Sequence, residues 1–401
     1  MIDAEYVLPL RWDDDDDAGA DAALSELAAY LQALSALIDV TVVDGSAPAA
    51  FARHASAFPA AVRHLPVEPR PGRNGKVAGV MTGVRASRHE RIVLGDDDVR
   101  YDAAALATVV ELLGVADVVT PQNFFAPLPW HARWDTARIL LNRALAHDYP
   151  GTLALRRSAL PEEGYDGDVL FENLELIRTV RAAGGRHLAA DDCLVARRPP
   201  SASHFLRQRV RQAYDSFAQP GRLAAELLIL PVVLVLAVRA PRWLPALGAV
   251  AVAAAEAGRR RGGARVEVRR RGDARAEVRR RGDGVRHGGA HVEVRWRGDG
   301  ARHGDGTAWR GDARTRRGDG AGWRGDARTW RGDGVGWRRG SGPARRAFPA
   351  TSALWAPLWL LERGVCAWIA VGLRLRGGVR YSDGRLARAG NSLRALRARY
   401  Q

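Results

Sequence analysis

The stretch NGKVAGVMTGVRASRHERIVLGDDDVRY, residues 74–101, decides the fold predicted for this chain. A glycine-containing loop at 71–75 precedes a helix predicted over 76–86, and the apolar run 92–94 predicts a short strand buried on both faces. The strand runs directly into Gly95 and three consecutive aspartates. Because ligands of α/β sheets bind at the carboxyl ends of the strands, this segment predicts a ligand site.

The three aspartates and the nearby lysine are candidate ligand-binding residues. Hard divalent cations take oxygen ligands and bridge to phosphates, so Asp96 and Asp98 are candidate ligands of Mg²⁺ or Mn²⁺ at a diphosphate. Lys76 is the only lysine in the chain, which suggests a specific need for its ammonium. We therefore count Lys76, Asp96 and Asp97 as donor-binding candidates. A solvated turn is the alternative interpretation of the aspartate run.

The composition divides the 401 residues into four regions. Residues 1–222 have the mixed composition of a globular domain, and 223–257 form an apolar region predicted to be a membrane hairpin. Residues 258–347 are an Arg/Gly/Asp low-complexity insert, and 348–401 contain an apolar helix and a basic tail. The net charge of +16 is concentrated between 258 and 341, where 24 arginines face 11 acids. The high pI therefore describes the insert and not the folded domain.

The cysteines and the N-terminal residues indicate the cellular compartment of the protein. Cys193 and Cys366 lie far apart in different regions, so neither a disulfide framework nor a zinc site is indicated. Residues 1–10 lack the basic start and long apolar core of a signal peptide. We expect the N-terminal domain to stay in the cytosol.

Short apolar runs alternate with helical stretches through the first 200 residues, which predicts a mostly parallel α/β sheet. Strands are expected at 6–10, 40–43, 62–65, 92–94, 117–120, 151–155 and 188–190, with a loop at 121–125. Asp44 ends the second strand and precedes Gly45 and Ser46. It is a candidate to bind a nucleoside, although an acid at this position also caps helices.

Two further segments contain candidate site residues. Trp130 and Trp134 stand at a helix entrance beside basic residues, which predicts either an acceptor pocket or a packed helix start. In the segment 164–185, Asp168 and Glu172 lead into a helix. Acids favour a helix N-terminus whatever their function, and the functional alternative is that Glu172 acts as a general base.

The motif order resembles the inverting family-2 glycosyltransferases, in particular the membrane-bound ceramide-glucosyltransferase-like branch. The matching motifs are VVDGS (42–46), NGKVAGV (74–80), GDDDV (95–99), PGTLALRR (150–157), FENLE (171–175) and QRVRQ (208–212). The resemblance implies a nucleotide-diphospho-sugar transferase domain of the GT-A, Rossmann-like type. It also implies that Asp44 contacts the nucleoside, that Asp96 and Asp98 hold the metal and diphosphate, and that Gln208 and Arg211 lie on the donor or acceptor side.

The chain departs from that family at two positions. Members usually have Glu-Asp where this chain has Glu172-Asn173, and the aspartate is the usual base. Since an amide is not a useful proton acceptor, Glu172 or Asp168 takes over, or the domain is inactive. The Gln-x-x-Arg-Trp motif ends here in Gln212, which removes an aromatic expected at the acceptor tunnel.

The apolar segments predict membrane association, and core helices of a soluble domain are the alternative for all three. Runs at 223–238 and 243–257 have dense arginines on their outer flanks, which places both ends in the cytoplasm by the positive-inside rule. A third run, 352–373, contains Glu362 and Arg363 at its centre, and a mid-span charge pair favours an interfacial or hairpin element. The insert carries seven Arg-Gly-Asp triplets and is expected to be disordered. Its arginines and tryptophans suit non-specific anion contacts and no specific nucleic-acid partner.

Two functions follow from these patterns. The first is a glycosyltransferase at the cytoplasmic face of the cell membrane, using a nucleotide-sugar donor, Mg²⁺ or Mn²⁺ and a lipid-like acceptor. The second is a catalytically degenerate, membrane-anchored binding protein whose arginine-rich segment contacts anionic partners. The aspartates and Lys76 favour the first, and Asn173 and Gln212 favour the second.

Overall fold

The computed structural model describes residues 1–12, 20–146, 148–261, 264–267, 275–281, 291–297, 347–381 and 384–400, with backbone alone for the three short stretches between 264 and 297. The strands are β1 (Ile2–Leu10), β2 (Ile38–Asp44), β3 (Val62–Pro66), β4 (Arg91–Gly95), β5 (Val99–Arg100), β6 (Val118–Phe125), β7 (Thr152–Arg156), β8 (His187–Arg197), β9 (Ala264–Glu267), β10 (Arg275–Arg281), β11 (His291–Arg297), β12 (Val379–Tyr381) and β13 (Gly384–Leu386). The helices are α1 (Ala20–Ser35), α2 (Pro48–Ala57), α3 (Gly75–Ala86), α4 (Ala103–Leu112), α5 (Trp130–Leu145), α6 (Glu172–Ala182), α7 (Ala202–Tyr214), α8 (Pro220–Arg239), α9 (Leu244–Arg260), α10 (Ala356–Leu375) and α11 (Leu393–Arg397).

The central sheet has the strand order β3-β2-β1-β4-β7-β6-β8. β1 pairs in parallel with β2 and β4, β2 pairs in parallel with β3, and β6 pairs in parallel with β8. β7 is antiparallel to both β4 and β6. The predicted α/β class is confirmed, and four of the six pairings in this central sheet are parallel.

Helices cover both faces of this sheet because successive strand residues point to opposite sides. In β1, Tyr6 and Leu8 pack in the core under α1 and α4, whereas Val7 packs in the core under α3 and α6. The apolar i, i+3, i+4 positions of α1, such as Leu24, Leu27 and Leu31, are buried in the first of these cores. The two cores hold the carboxyl ends of β1, β2 and β4 at one edge.

The predicted loop at 121–125 is wrong, because these residues continue β6 as far as Phe125. The register against β8 shifts between Pro121 and Gln122, so the strand passes the proline through a bulge-like irregularity. β8 likewise extends to Arg197, seven residues past the predicted strand end at 190. This extension carries Arg197 to the carboxyl edge of the sheet.

The apolar segments form helices that pack on the domain at different depths. Two described segments, α8 and residues 350–375, are long and apolar enough to cross a membrane. Only 6% of the apolar window of α8 is buried, whereas α9 contributes Ala251 and Ala255 to a core shared with α5. That α8 and α9 form a membrane hairpin stays a prediction. α10 is one continuous helix, in which Arg363 is buried.

The insert contributes three strands that extend the sheet beyond β8, each antiparallel to its neighbour: β9, β10 and β11. The rest of the insert, for which the sequence predicts disorder, lies outside the described residues.

Candidate active site

A cleft of about 820 Å³ opens at the carboxyl ends of β1, β2 and β4. Its walls come from both halves of the chain, since α3, α6, α7, α8, α10 and β12 all contribute. Of the residues predicted from the sequence, seven line it: Lys76, Asp96, Asp97, Asp98, Glu172, Gln208 and Arg211. The sheet therefore brings together motifs separated by more than 130 residues.

Lys76 joins the predicted donor side of the cleft to the predicted base. Its Nζ lies 2.6 Å from Oδ1 of Asp96 and 2.7 Å from Oε1 of Glu172. Burial alone would lower the pKa of Lys76, but the two carboxylates outweigh it and the pKa is raised. The ammonium is thus fully charged at neutral pH and holds two acids from different motifs in one place.

The local sequence explains how Lys76 reaches this position. Asn74 caps α3, accepting from the backbone N–H of Lys76 at 3.1 Å, and its Nδ2 donates to the carbonyl of Val169 at 2.9 Å. The cap therefore ties the start of α3 to the loop before α6, which carries Glu172. From the C-terminal region, Tyr381 donates to the Asn74 side chain at 2.8 Å.

Two glycines make room for the aspartate loop. A Cβ on Gly95 would lie 1.9 Å from the hydroxyl of Tyr6, and one on Gly151 would lie 2.4 Å from Oδ2 of Asp96. Neither position tolerates a side chain without displacement of the core or of the aspartate. The GDDD and PGT motifs thus share one steric requirement, close approach of β4 and β7 beside Asp96.

Arg197, at the end of β8, binds the aspartate loop from the other side. Its Nε donates to Oδ2 of Asp98 at 2.7 Å, and Nη2 lies 4.0 Å from Oδ2 of Asp96. Burial raises the pKa of Asp98 to about 6, although Arg197 opposes the shift. Asp97 instead accepts from the indole of Trp12 at 2.5 Å.

Asp96 and Asp98 suit a divalent cation that is completed by phosphate oxygens. Oδ1 of Asp98 is buried without a hydrogen-bond partner in the described chain, and Asp96 shares Arg197 with it. Mg²⁺ is commonly held by one or two carboxylates plus substrate phosphates, so two aspartates are sufficient. Within the described residues, no group of three or more His, Cys, Asp or Glu is arranged to hold a metal alone.

Asp44 is placed beside the cleft, between the lining residues Val43 and Gly45, but its carboxylate points into a histidine cluster. Oδ2 lies 2.7 Å from Nδ1 of His54 and 3.0 Å from Nε2 of His64. Oδ1 accepts the backbone N–H of Ser46 at 2.9 Å. Burial would raise the pKa of Asp44, but these hydrogen bonds lower it well below its ordinary value. Its contact with a nucleoside stays a prediction.

The acids around α6 have distinct environments. Glu172 starts the helix and faces the cleft, whereas Asp168 does not line it and accepts the backbone N–H of Arg73 at 3.2 Å. Asn173, at the family's base position, donates to the carbonyl of Pro150 at 3.0 Å. Glu175 is fully buried and accepts from the backbone and side chain of Asn391.

The predicted acceptor residues separate into two places. Gln208 and Arg211 line the cleft, where Arg211 lies 5.1 Å over the ring of Tyr381. Trp130 and Trp134 do not line it. Trp134 stacks against Trp355 at 6.0 Å, which is the packed arrangement that the sequence left as the alternative.

Lining residues that were not identified from the sequence as site residues include Arg197, Asp215 and Arg363. Burial raises the pKa of Asp215 to about 7. For Arg197, the only signal was its place at the start of a basic segment. For Arg363, the only signal in the sequence was a charged residue at the centre of an apolar run.

No protein-family model matches the chain, and no curated protein is significantly similar to it. Among solved structures, a mannosyltransferase from Pyrobaculum calidifontis in complex with GDP-Man and Mn²⁺ is similar at 19% identity and a TM-score of 0.38, over 53% of this chain and 61% of that one. Glucosyl-3-phosphoglycerate synthase from Mycobacterium tuberculosis is similar in two complexes. With Mn²⁺, UDP and phosphoglyceric acid the match is 19% identical at a TM-score of 0.26, over 39% and 56% of the two chains. With Mn²⁺, UDP-Glc and phosphoglyceric acid the match is 17% identical at a TM-score of 0.31, over 51% of this chain and 76% of that one.

The chain thus spans less than two thirds of the length of the first two of these structures. All three matches are complexes of glycosyltransferases with nucleotides or nucleotide-sugars and a divalent metal. At TM-scores below 0.5 they carry no argument about this chain.

Proposed function

We propose that this protein is a metal-dependent glycosyltransferase that moves a sugar from a nucleotide-diphospho-sugar to a hydroxyl acceptor, with inversion at the anomeric carbon. The observation that carries the proposal is the bridge from Asp96 through Lys76 to Glu172 inside the cleft. In this salt-bridged group, Lys76 is the cation for a leaving phosphate and Asp96 is a ligand for a metal. Glu172 is the acid that would take the acceptor proton.

The donor is proposed to bind along the aspartate loop. Asp96 and Asp98 would hold Mg²⁺ or Mn²⁺, and a cation at this position would neutralise charge that develops on the leaving diphosphate. Lys76 supports the same charge directly, since its ammonium is already 2.6 Å from Asp96. Asp97 and Asp44 are proposed to contact the rest of the donor.

Glu172 is proposed to accept the proton of the acceptor hydroxyl. Its carboxylate is 13% exposed in the cleft and is paired with Lys76 at 2.7 Å. In that ion pair the Oε1 of Glu172 is occupied by the ammonium of Lys76. We propose that a bound diphosphate draws Lys76 away and leaves Glu172 free to accept the proton as the hydroxyl attacks.

The membrane is the proposed location of the acceptor. α8 exposes large apolar side chains, including Leu228, Leu234 and Val238, and its start lies at the cleft. An acceptor with a lipid-like part is therefore consistent with the surface beside the site. The arginines that flank the apolar runs favour the cytoplasmic side of the cell membrane.

A binding protein without catalytic activity is the second candidate. It is favoured by Asn173, whose amide is engaged by the carbonyl of Pro150, and by the neutralising contact of Lys76 with Glu172. In that case the cleft would bind a nucleotide-sugar or a similar anion without turnover.

The deciding experiment is release of nucleoside diphosphate from a panel of nucleotide-sugars by the purified full chain in detergent, with Mg²⁺ or Mn²⁺. The proposal predicts metal-dependent release from one donor, increased by a membrane lipid extract as a source of acceptor and lost in Glu172→Gln. Tight donor binding with no release from any donor, with and without the extract, would favour the binding protein.

A further inference from the structure

Four of the arginines that line the cleft come from four separate elements: Arg211 of α7, Arg222 of α8, Arg363 of α10 and Arg380 of β12. We call them the arginine cluster. Arg211, Arg222 and Arg363 are all electrostatic neighbours of Asp215, and Arg211 lies over the ring of Tyr381, the residue after Arg380. Three of the four guanidinium groups thus surround Asp215, and Arg380 lines the same cleft.

Arg363 is buried without a hydrogen-bond partner among the described residues. It is 1% exposed, and none of Nε, Nη1 and Nη2 has a hydrogen-bond acceptor among the described residues. Its guanidinium carbon lies over the face of Trp359, 5.0 Å from the ring centre. A buried, unpaired guanidinium is costly, so a partner from outside the chain is expected.

The nearby acids Glu226 and Glu362 each bind another arginine through one oxygen, and the other oxygen of each is buried without a hydrogen-bond partner among the described residues. Glu226 accepts from Nε of Arg222 at 2.8 Å, and Glu362 lies 3.5 Å from Nη1 of Arg209. Neither forms an ion pair with Arg363 within the described chain. Because charged residues in apolar helices face cavities and mark ligand paths, the position of Arg363 in α10 also indicates a ligand.

We propose that the arginine cluster binds a phosphate group carried by the acceptor. A guanidinium donates two parallel hydrogen bonds to a phosphate, and several of them from different directions suit a tetrahedral anion better than a planar carboxylate. This inference rests on the proposed glycosyl transfer and names the class of its acceptor.

The donor diphosphate is a poorer candidate for this site. The residues proposed to hold it, Lys76, Asp96 and Asp98, are bound to Glu172 and Arg197 and not to the cluster. Arg222 and Arg363 belong instead to the apolar helices α8 and α10, which pack together where Gly364 meets Ile229. A phosphate bound there would lie next to the apolar surface of α8.

The test measures phosphate binding with the donor site filled. The full chain in neutral detergent, saturated with UDP or GDP and Mg²⁺, is titrated with inorganic phosphate by calorimetry. Wild type should bind phosphate, Arg363→Met should bind at least tenfold more weakly, and Arg363→Lys should recover part of the loss. Arg374→Gln, on the same helix but outside the cleft, should match wild type.

Two competitor arms identify the source of the phosphate. Nanodiscs of phosphatidylcholine containing phosphatidic acid should compete with inorganic phosphate if the acceptor phosphate is on a lipid. Glycerol 3-phosphate should compete, and the nanodiscs should not, if the acceptor is soluble. Both results support the proposal, since each places phosphate at the cluster.

Three results would overturn the inference. They are unchanged phosphate affinity in Arg363→Met, absence of phosphate binding to wild type, and an equal loss of UDP or GDP affinity, which would assign Arg363 to the donor. If Arg363→Met does not fold, Arg380→Gln on the surface of the cleft replaces it with the same expectation. Failure of the proposed function is measured separately, as the absence of nucleoside diphosphate release from the donor panel, whatever the phosphate titration shows.

Discussion

The ammonium of Lys76 lies 2.7 Å from the carboxylate of Glu172, although 95 residues separate them in the sequence. Each is a side chain of a helix start, α3 for the lysine and α6 for the glutamate. The ion pair therefore couples two helices across the opening of the cleft, and any ligand that pulls on one residue changes the other.

Lys76→Met should lower kcat/KM roughly 10- to 100-fold, because one charge-assisted hydrogen bond contributes about 1.5–3 kcal/mol. The change in kcat/KM is measured by steady-state kinetics with the nucleotide-sugar that is active in the donor panel. Lys76→Arg should recover only part of the activity, since a planar guanidinium does not bridge the two acids in the same way. Arg85→Met, on the exposed side of α3, is the matched control and should leave kcat/KM unchanged.

Glu172→Gln should lower turnover at least about 100-fold with donor affinity preserved, because positioned proton transfer contributes about 10²–10⁴-fold. Asp168→Asn should cost less, since Asp168 accepts a backbone N–H and lies outside the cleft. Single-turnover rates and donor binding separate the two effects. A larger loss for Asp168→Asn would show that the base is assigned to the wrong acid.

Asp98→Asn should abolish the increase in donor affinity that Mg²⁺ or Mn²⁺ produces. It removes one of two carboxylates available to the cation while leaving the strand intact. Calorimetric titration of the donor, with and without metal, measures the difference. Asp21→Asn, exposed at the start of α1, should retain the metal effect. Unchanged metal dependence in Asp98→Asn would exclude Asp98 as a ligand.

Asp215 should make stability depend on pH. Burial raises its pKa to about 7 from an ordinary value of 3.8, so the folded chain holds this proton more tightly than the unfolded chain. The free energy of unfolding therefore falls, through this group, as pH rises from about 4 to about 7. Asp215→Asn removes this loss, and its Tm relative to wild type should increase between about pH 5 and pH 8. A constant Tm difference across that range would contradict the raised pKa.

The exposed apolar face of α8 should control membrane association. Leu234→Asp combined with Val238→Asp places two charges on side chains that are 56% and 83% exposed. The variant should move from the membrane pellet toward the soluble fraction after ultracentrifugation. Val115→Asp, on the α/β domain and 44% exposed, should leave the distribution unchanged. Retention of the double variant in the pellet would assign anchoring to another segment.

Local patterns predicted the strand and helix order and one side of the cleft. The run from Ile92 into Gly95 and the aspartates is a local signal, because a buried strand and its polar end are adjacent in sequence. Lys76 was identifiable by composition alone. The extension of β6 through Pro121 was not, since proline and amide residues usually indicate a loop and only the bulge against β8 accommodates them.

The remaining site residues depend on tertiary contacts. His54 and His64 gave no signal, yet both bind Asp44 once α2 and β3 pack beside β2. Arg363 is 287 residues from Lys76, and its place in the cleft follows from the packing of α10 on α7 and α8. From the sequence, Arg363 was recognisable only as a charged residue inside an apolar run, and nothing placed it at the cleft.

The low-complexity insert lies between the end of α9 and residue 347, and the segments on either side of it contribute to one core. Ala255 of α9 and Phe348 pack in the same apolar cluster with residues of α5. Noncovalent packing, and not the intervening peptide, therefore keeps the C-terminal part in place. A protease nick within the insert should leave two fragments that co-purify, and the two halves should assemble when expressed from separate genes. The number of Arg-Gly-Asp units should therefore vary at little energetic cost to the folded chain, since loop closure depends only weakly on length.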